Sequence, residues 1–229
     1  MALVRLLKRA VRRIRSKRLH APEIRADWVE LGSDYGGWPV IPLRLPERPL
    51  VYSFGVGDDI SFDLETIGRY SAQVHAFDPT PRSQRWVSAQ SLPETFHFHS
   101  LGLGGRDGTA EFFPPVEVGH VSFSNAPSAA QTGAPVTAEI LSLGTILARL
   151  GHDRIDVLKM DIEGFEYEVI EDIARGEIRP GHLLVEFHHG MYRSTDQDTL
   201  DAVSRLRAIG YRLFFVSDTG REYGFIHQQ

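Results

Sequence analysis

The sequence predicts an α/β protein built on one open, mostly parallel sheet with helices on both faces and a C-terminal antiparallel hairpin. Three observations predict it. From Leu50 onward, short apolar runs rich in β-branched and aromatic residues alternate with amphipathic stretches at helical spacing, the pattern of strand–helix units in a parallel sheet. Several runs stop abruptly at glycine or at a charged residue, as strands do where they deliver groups to the carboxyl edge of such a sheet. Tyr211–Ser217 and Glu222–His227 flank Asp218-Thr219-Gly220, a turn that joins them as a hairpin and adds one antiparallel strand.

The elements follow in order. Residues 1–19 place Leu3, Leu7, Ala10 or Val11, and Ile14 on one face, with basic residues between them, and so predict a short cationic amphipathic helix. Eight of the 25 basic residues and none of the 30 acidic ones lie in residues 1–20. Such a helix suits an anionic membrane surface; it equally suits packing on the body or a solvated tail. Residues 20–49 carry five prolines and three glycines and form an irregular lead-in, with Trp28, Tyr35 and Trp38 as anchors against one end of the sheet. The third segment, 50–229, is the α/β domain. Leu50–Phe54 is a strand ending in Gly55-Val56-Gly57, and Asp58 or Ser61 caps a helix through about Arg69. Val74–Phe77 is a strand ending in Asp78-Pro79, followed by a helix over Arg82–Gln90 and a strand over Phe96–His99 whose His97 and His99 share an edge-strand surface. Thr109–Phe113 is a strand; 114–135, rich in Pro, Gly, Ser and Ala, is a long loop of the kind that is usually functional. A strand over Val136–Ile140, a helix over Leu143–Leu150, a strand over Ile155–Met160 and a helix over Phe165–Ala174 follow, then a strand over Leu183–Phe187 ending in His188-His189 and a helix over Asp198–Ile209.

Composition narrows the function. The absence of cysteine excludes disulfides, thiolate metal sites and Cys nucleophiles. No apolar run is long enough to cross a bilayer, and the N-terminus lacks the apolar core of a secretion signal. A cytoplasmic location is expected, with peripheral contact to the inner membrane surface through residues 1–19. Outside those residues the chain is acidic, so nucleic acid is not an expected partner.

Val157-Leu158-Lys159-Met160-Asp161-Ile162-Glu163-Gly164 is the most informative stretch: a buried strand whose end delivers two acids to one place. Buried charges are costly unless paired or used. Gly55-Val56-Gly57, at a strand-to-helix turn, lets the backbone approach a ligand while a helix N-terminus offers free N–H groups. Asp78 ends the next strand, near the spacing at which an acid holds the ribose hydroxyls of a nucleotide cofactor. A dinucleotide fingerprint needs a third glycine, and its position holds Ile60. S-adenosylmethionine, which carries no phosphate, fits better.

These motifs together, Val51-Tyr52-Ser53-Phe54-Gly55-Val56-Gly57, His75-Ala76-Phe77-Asp78-Pro79, Asp107-Gly108 and Leu158-Lys159-Met160-Asp161-Ile162-Glu163-Gly164, resemble the FkbM family of S-adenosylmethionine-dependent methyltransferases from about Leu50 to Phe225. The resemblance implies a Rossmann-like seven-stranded sheet and O-methylation of a hydroxyl on a small molecule, sugar or glycan. It implies cofactor contacts at Ser53, Phe54, Gly55, Gly57, Asp58, Asp78, Pro79 and Asp161. Many class I methyltransferases have an acid where Ser53 stands and a glycine where Asp59 stands, so Asp58 or Asp161 would take over the cofactor's amino group.

Methyl transfer needs in-line alignment and a base near the acceptor oxygen. Asp161, Glu163, His188 and His189 are the catalytic candidates. Histidine suits the base because its pKa lies near neutrality, with His188 first and His189 second. Glu163 also fits a helix N-terminal acid favoured by the dipole, and Lys159 fits an internal partner for an acid such as Glu186. The loop 114–135, Phe165 and Tyr192 are expected to shape the acceptor pocket. No metal is expected, although Asp161, His188 and His189 are donor types for one. The alternatives are a nucleotide-sugar glycosyltransferase and a non-catalytic cofactor-binding module tethered to a membrane surface.

Overall fold

The computed structural model describes residues 19–113, 135–191 and 194–228. Two short strands, β1 (Val29–Leu31) and β2 (Trp38–Val40), pair antiparallel and lead through a 3-10 turn at Pro42–Arg44 into the domain. Then come β3 (Leu50–Phe54), α1 (Ser61–Tyr70), β4 (Gln73–Phe77), α2 (Pro81–Ser88), β5 (Phe96–His99), β6 (Gly102–Leu103), β7 (Gly108–Phe112) and β8 (Val136–Leu141). The chain continues with α3 (Leu143–Leu150), β9 (Val157–Met160), α4 (Glu166–Arg175), β10 (His182–Glu186), α5 (Asp196–Ala208), β11 (Tyr211–Val216) and β12 (Glu222–His227).

The central sheet has seven strands in the order β11-β12-β10-β9-β3-β4-β5. β10, β9, β3, β4 and β5 run parallel, and β12 runs antiparallel to both β10 and β11. This is the predicted architecture, with one refinement: the hairpin folds back so that its second strand lies between β10 and β11. A separate three-stranded sheet, β6-β8-β7, forms beside it. The sequence marked β7 and β8 as strands but carried no signal for a second sheet.

Period-two alternation sends the side chains of each strand to opposite faces. Tyr52, Phe54, Leu158, Met160 and Val185 pack with α3, α4 and α5 on one face, while Val51, Val74, Val157 and Leu184 pack with α1 and α2 on the other. The five residues of β3 are all buried, as expected of a strand covered on both faces. The lead-in does more than cap a sheet end. Leu31, Trp38 and Val40 are buried in the face shared with α1, each such side chain contributing about 1.5–3 kcal/mol. The Ile41 N–H donates to His182 Nε2 at 3.1 Å, which ties the segment to β10. Of the three expected anchors only Trp38 is buried; Trp28 and Tyr35 are exposed, and Trp28 rests edge-on against Phe215.

Helix starts follow local chemistry. α2 begins with the Thr80 hydroxyl accepting from Ser83 N–H and with Pro81 in the first turn; α5 begins with a capping box between Thr195 and Asp198. α1 departs from expectation. Its cap position is Ile60, without a side-chain bond, and the Ser61 N–H is instead taken by Asp59 Oδ1 at 2.8 Å.

His97 and His99 do not form a plain surface. With His152 they surround His75, whose ring centroid lies 4.8, 5.1 and 4.8 Å from those of His97, His99 and His152. His75 Nδ1 is 2.9 Å from His99 Nε2, and the Tyr52 hydroxyl is 2.6 Å from His152 Nδ1. Burial first, and the neighbouring imidazoles second, pull His75 from 6.5 down to about 3. The unfolded chain takes up that proton near 6.5 and the folded one does not, so stability is fully present above 6.5 and is lost as pH falls from 6.5 toward about 3. Each such group steepens the loss by up to about 1.4 kcal/mol per pH unit. Urea titrations across this range should therefore show a shallower acid slope for His75→Gln than for the wild type; parallel slopes would refute the account.

Candidate active site

The carboxyl ends of β4, β3, β9 and β10 lie side by side, in that order. A crevice beyond such ends is where open α/β sheets bind ligands. Gly55 sits at its centre with φ +85°, and a Cβ there would fall far inside van der Waals contact of the Asp161 carbonyl oxygen. Only glycine permits this conformation and this approach. The Gly55 N–H donates to Phe77 O at 3.0 Å, and the Asp161 N–H donates to Phe54 O at 3.1 Å. The glycine turn is thus locked between the two neighbouring strands.

Asp78 holds the turn from the side. Its Oδ2 accepts the N–H groups of Val56 and Gly57 at 3.1 and 3.0 Å, and its Oδ1 accepts the Thr80 N–H and hydroxyl at 2.9 and 2.6 Å. A carboxylate offers about four acceptor positions, and all four are filled from within the chain. The expected role of Asp78 as a ribose acceptor is therefore secondary here: its first task is to fix the turn, and a ribose hydroxyl must share or replace one of these bonds. Gly57 has φ +56°, and a Cβ placed on it would meet nothing within 4 Å, so the turn leaves open space at that point. Pro79 and Asp58 are half-buried beside it, while Phe54 and Ser53 are buried beneath it.

Lys159 is an internal residue, as expected, and the acid on which its charge acts is Asp63. Its register partners, Ser53 on β3 and Leu184 on β10, place it on the α1 face. It is buried, its Nζ donates to Phe54 O at 3.3 Å and Gly55 O at 3.0 Å, and it lies 5.5 Å from the centre of the Trp38 ring. On the same side, burial pushes the Asp63 carboxyl up to about 6, with Lys159 and then the Ser53 hydroxyl pulling against it. A buried carboxylate of α1 thus lies close to Ser53.

The β9–β10 side brings the predicted acids and histidines together. His188 is 2 % exposed. Its Nδ1 lies 2.6 Å from Glu166 Oε1, and its Nε2 lies 3.2 Å from Glu163 Oε2, 3.8 Å from Asp161 Oδ1 and 3.9 Å from Glu186 Oε1. Burial pulls its pKa down, but Glu166 and Glu163 outweigh burial and hold it well above the ordinary value. Both nitrogens of His188, the first base candidate from the sequence, thus face carboxylates. His189 has the opposite surroundings. It is 5 % exposed, neither ring nitrogen has a hydrogen-bond partner, and burial, then Arg221, keep its pKa below the ordinary value.

Glu163 is not a helix N-terminal acid, since α4 begins at Glu166. It precedes the helix with φ +53°, a left-handed conformation that costs a non-glycine residue about 1–3 kcal/mol and is commonest at functional turns. Glu166, absent from the residues expected at the site, is fully buried and accepts from the Gly164 N–H through both oxygens at 3.1 Å. Its signal was present: an acid three residues beyond Glu163, at the start of an apolar helix face. Phe165 packs near Phe112 of the small sheet, with ring centroids 5.9 Å apart. Tyr192 and residues 114–134 lie outside the described residues, as do residues 1–18 of the expected basic helix. Among the described residues no helix is long and apolar enough to cross a membrane.

Comparison with known proteins agrees with this geometry. The model of the methyltransferase FkbM domain matches residues 50–213. A probable methyltransferase-like protein 24 of Homo sapiens is 29% identical over 141 residues, which cover 60% of this chain and 32% of that protein. Its counterpart in Rattus norvegicus is 30% identical over the same length. The chain thus spans about a third of the length of these relatives. The crystal structure of methyltransferase FkbM from Methylobacillus flagellatus KT superposes with a TM-score of 0.50 at 14% identity, over 80% of this chain and 44% of that one, a likeness of fold.

The anchoring by Asp78 is open to test. Asp78→Ala leaves the N–H groups of Val56, Gly57 and Thr80 without their acceptor, at an expected cost of about 1–3 kcal/mol in unfolding free energy. Hydrogen exchange at the Val56 and Gly57 amides should accelerate in the variant. Unchanged exchange at both would show that the carboxylate does not hold the turn.

Proposed function

The chain belongs to the FkbM methyltransferase family, and from that premise we propose that it transfers the methyl group of S-adenosylmethionine to a hydroxyl oxygen of a small molecule, sugar or glycan. One observation carries the reading: the glycine turn, fixed by Asp78 and pressed against Asp161, faces a crevice whose other wall holds Asp161, Glu163 and His188. The turn offers a close backbone approach for the cofactor at Gly55 and Gly57. Asp161 lies one strand away, where the transferable methyl group belongs, and its carboxylate is suited to the cofactor's positive end.

In the reaction, the acceptor oxygen attacks the methyl carbon in line with the departing sulfur. The C–S bond breaks with its electron pair remaining on sulfur, a C–O bond forms, and the hydroxyl proton passes to a base. His189 is that base in this reading, since its two ring nitrogens are buried and unpartnered whereas those of His188 already face Glu166 and Glu163. Alignment supplies most of the acceleration, because sulfonium is a good leaving group.

Calorimetry should detect binding of S-adenosylmethionine to the wild-type chain. Gly57→Val should weaken it at least about tenfold while circular dichroism stays native, since the side chain enters space the turn leaves open. His189→Ala should lower turnover about 10²–10⁴-fold with little change in cofactor affinity. Failure of the wild type to bind the cofactor at millimolar concentration would overturn the reading. Full turnover in His189→Ala would remove His189 as the base.

A further inference from the structure

We propose that Asp161, Glu186 and His188 form a binding site for one divalent cation of the Mn²⁺ type, on the acceptor side of the crevice. One ligand atom from each residue lies within 4.8 Å of the other two. The distances from His188 Nε2 to Asp161 Oδ1 and Glu186 Oε1, 3.8 and 3.9 Å, are too long for hydrogen bonds. They suit a shared ion. Ligand atoms held about 2.1 Å from one cation stand about 3.0 Å apart at a right angle and about 4.2 Å apart when opposite. Three separate segments, the end of β9, the end of β10 and the turn after it, converge to give this spacing.

The surroundings of His188 point the same way by an independent route. Metal-bound histidines donate their second ring N–H to a carboxylate, which fixes the tautomer and aims the other nitrogen. Here Glu166, fully buried and itself held by the Gly164 N–H, lies 2.6 Å from Nδ1. Nε2 is thereby turned toward the carboxylates of Asp161, Glu186 and Glu163. Glu163, whose Oε2 is 3.2 Å from Nε2 and whose backbone is held at φ +53°, is placed as a fourth ligand. The side chains of His188 and Glu186 are 2 % and 3 % exposed, whereas that of Asp161 is 31 % exposed. The ligand atoms are thus enclosed, Asp161 Oδ1 included, and the site borders the crevice through the rest of the Asp161 side chain. One imidazole with two or three carboxylates suits Mn²⁺ or Zn²⁺ better than Ca²⁺, which takes six to eight oxygens. A cation there would offset charge developing on an acceptor oxygen brought to it as the hydroxyl proton passed to a base. That role rests on the methyl-transfer reading; cation binding itself does not.

The test uses the full chain, stripped with EDTA and dialysed, with Mn²⁺ as probe and the electron paramagnetic resonance signal of free Mn²⁺ as readout. One saturable site is expected. Asp161→Asn and Glu186→Gln should each weaken it at least about tenfold, and Glu166→Gln about 10–100-fold. Circular dichroism checks that each variant is folded; Asp161→Asn, the most exposed of the three, keeps the test usable should the buried substitutions unfold the chain. Absence of a saturable Mn²⁺ site in the wild type, or equal affinity in folded Asp161→Asn, overturns the inference. Calorimetry with S-adenosylmethionine on the same sample separates the two ideas: cofactor binding without Mn²⁺ binding sinks the cation site alone, and Mn²⁺ binding without cofactor binding sinks the methyl-transfer reading alone.

Discussion

The backbone of Gly55 pressed against the carbonyl of Asp161 is the contact from which the rest of the site is set out. It lies where β3 and β9 end, so it fixes the distance between the turn that would receive a cofactor and the acids that would face the chemistry. The positive φ of Gly55 bends the chain outward at once, which frees the N–H groups of Val56 and Gly57 to meet Asp78 from β4. Asp78 in turn meets the start of α2 through Thr80. One close approach, available only to glycine, thus places three strand ends and a helix start.

Beneath this contact lies a buried cation. Lys159 reaches up the α1 face and donates to the carbonyls of Phe54 and Gly55, the first of which also accepts the Asp161 N–H. A buried ammonium is costly unless it is bonded and paired. Its bonds are these carbonyls, and its charge acts on Asp63, whose carboxyl burial pushes up to about 6. The pair is registered by the sheet itself, since Ser53 and Lys159 are partners across β3 and β9 and both point to α1. The Asp63 carboxylate comes to that same place from the helix. The family motif Lys-x-Asp-x-Glu-Gly therefore divides its labour by strand alternation. Lys159 works on one side of the sheet, and the acids work beyond its end.

This division explains what the sequence disclosed and what it withheld. The sheet was legible because β3, β9 and β10 are unbroken apolar runs between glycine and acid punctuation, and because Asp218-Thr219-Gly220 can only be a turn. The members of the site were legible because each ends a strand: Gly55, Asp78, Asp161 and His188. Their partners were not. The side on which Lys159 falls depends on register, and a shift of one residue reverses it. Glu166 looked like any acid in a first helical turn, and only the close return of β10 next to β9 brings His188 onto it. Asp78 has the spacing of a ribose ligand, but spacing carries no information on how many donors already occupy its oxygens. The small sheet of β6, β8 and β7 was hidden because β6 is only two residues long.

His188 and His189 show how far neighbours in sequence diverge once the chain is folded. Consecutive residues leaving a strand turn to different sides, so one imidazole enters a nest of carboxylates and the other lies near Arg221. For His188 the fixed partner at Nδ1 leaves Nε2 two occupants, a proton or a cation. With a proton, the ring is an imidazolium between Glu166 and Glu163, and its pKa stands well above the ordinary value. With a cation, the proton is displaced, since a metal ligand must be deprotonated. In neither state does His188 hold a free lone pair for a substrate. A base for the proposed transfer would therefore have to lie outside the carboxylate nest, and the next residue in the chain, His189, has both ring nitrogens buried and unpartnered.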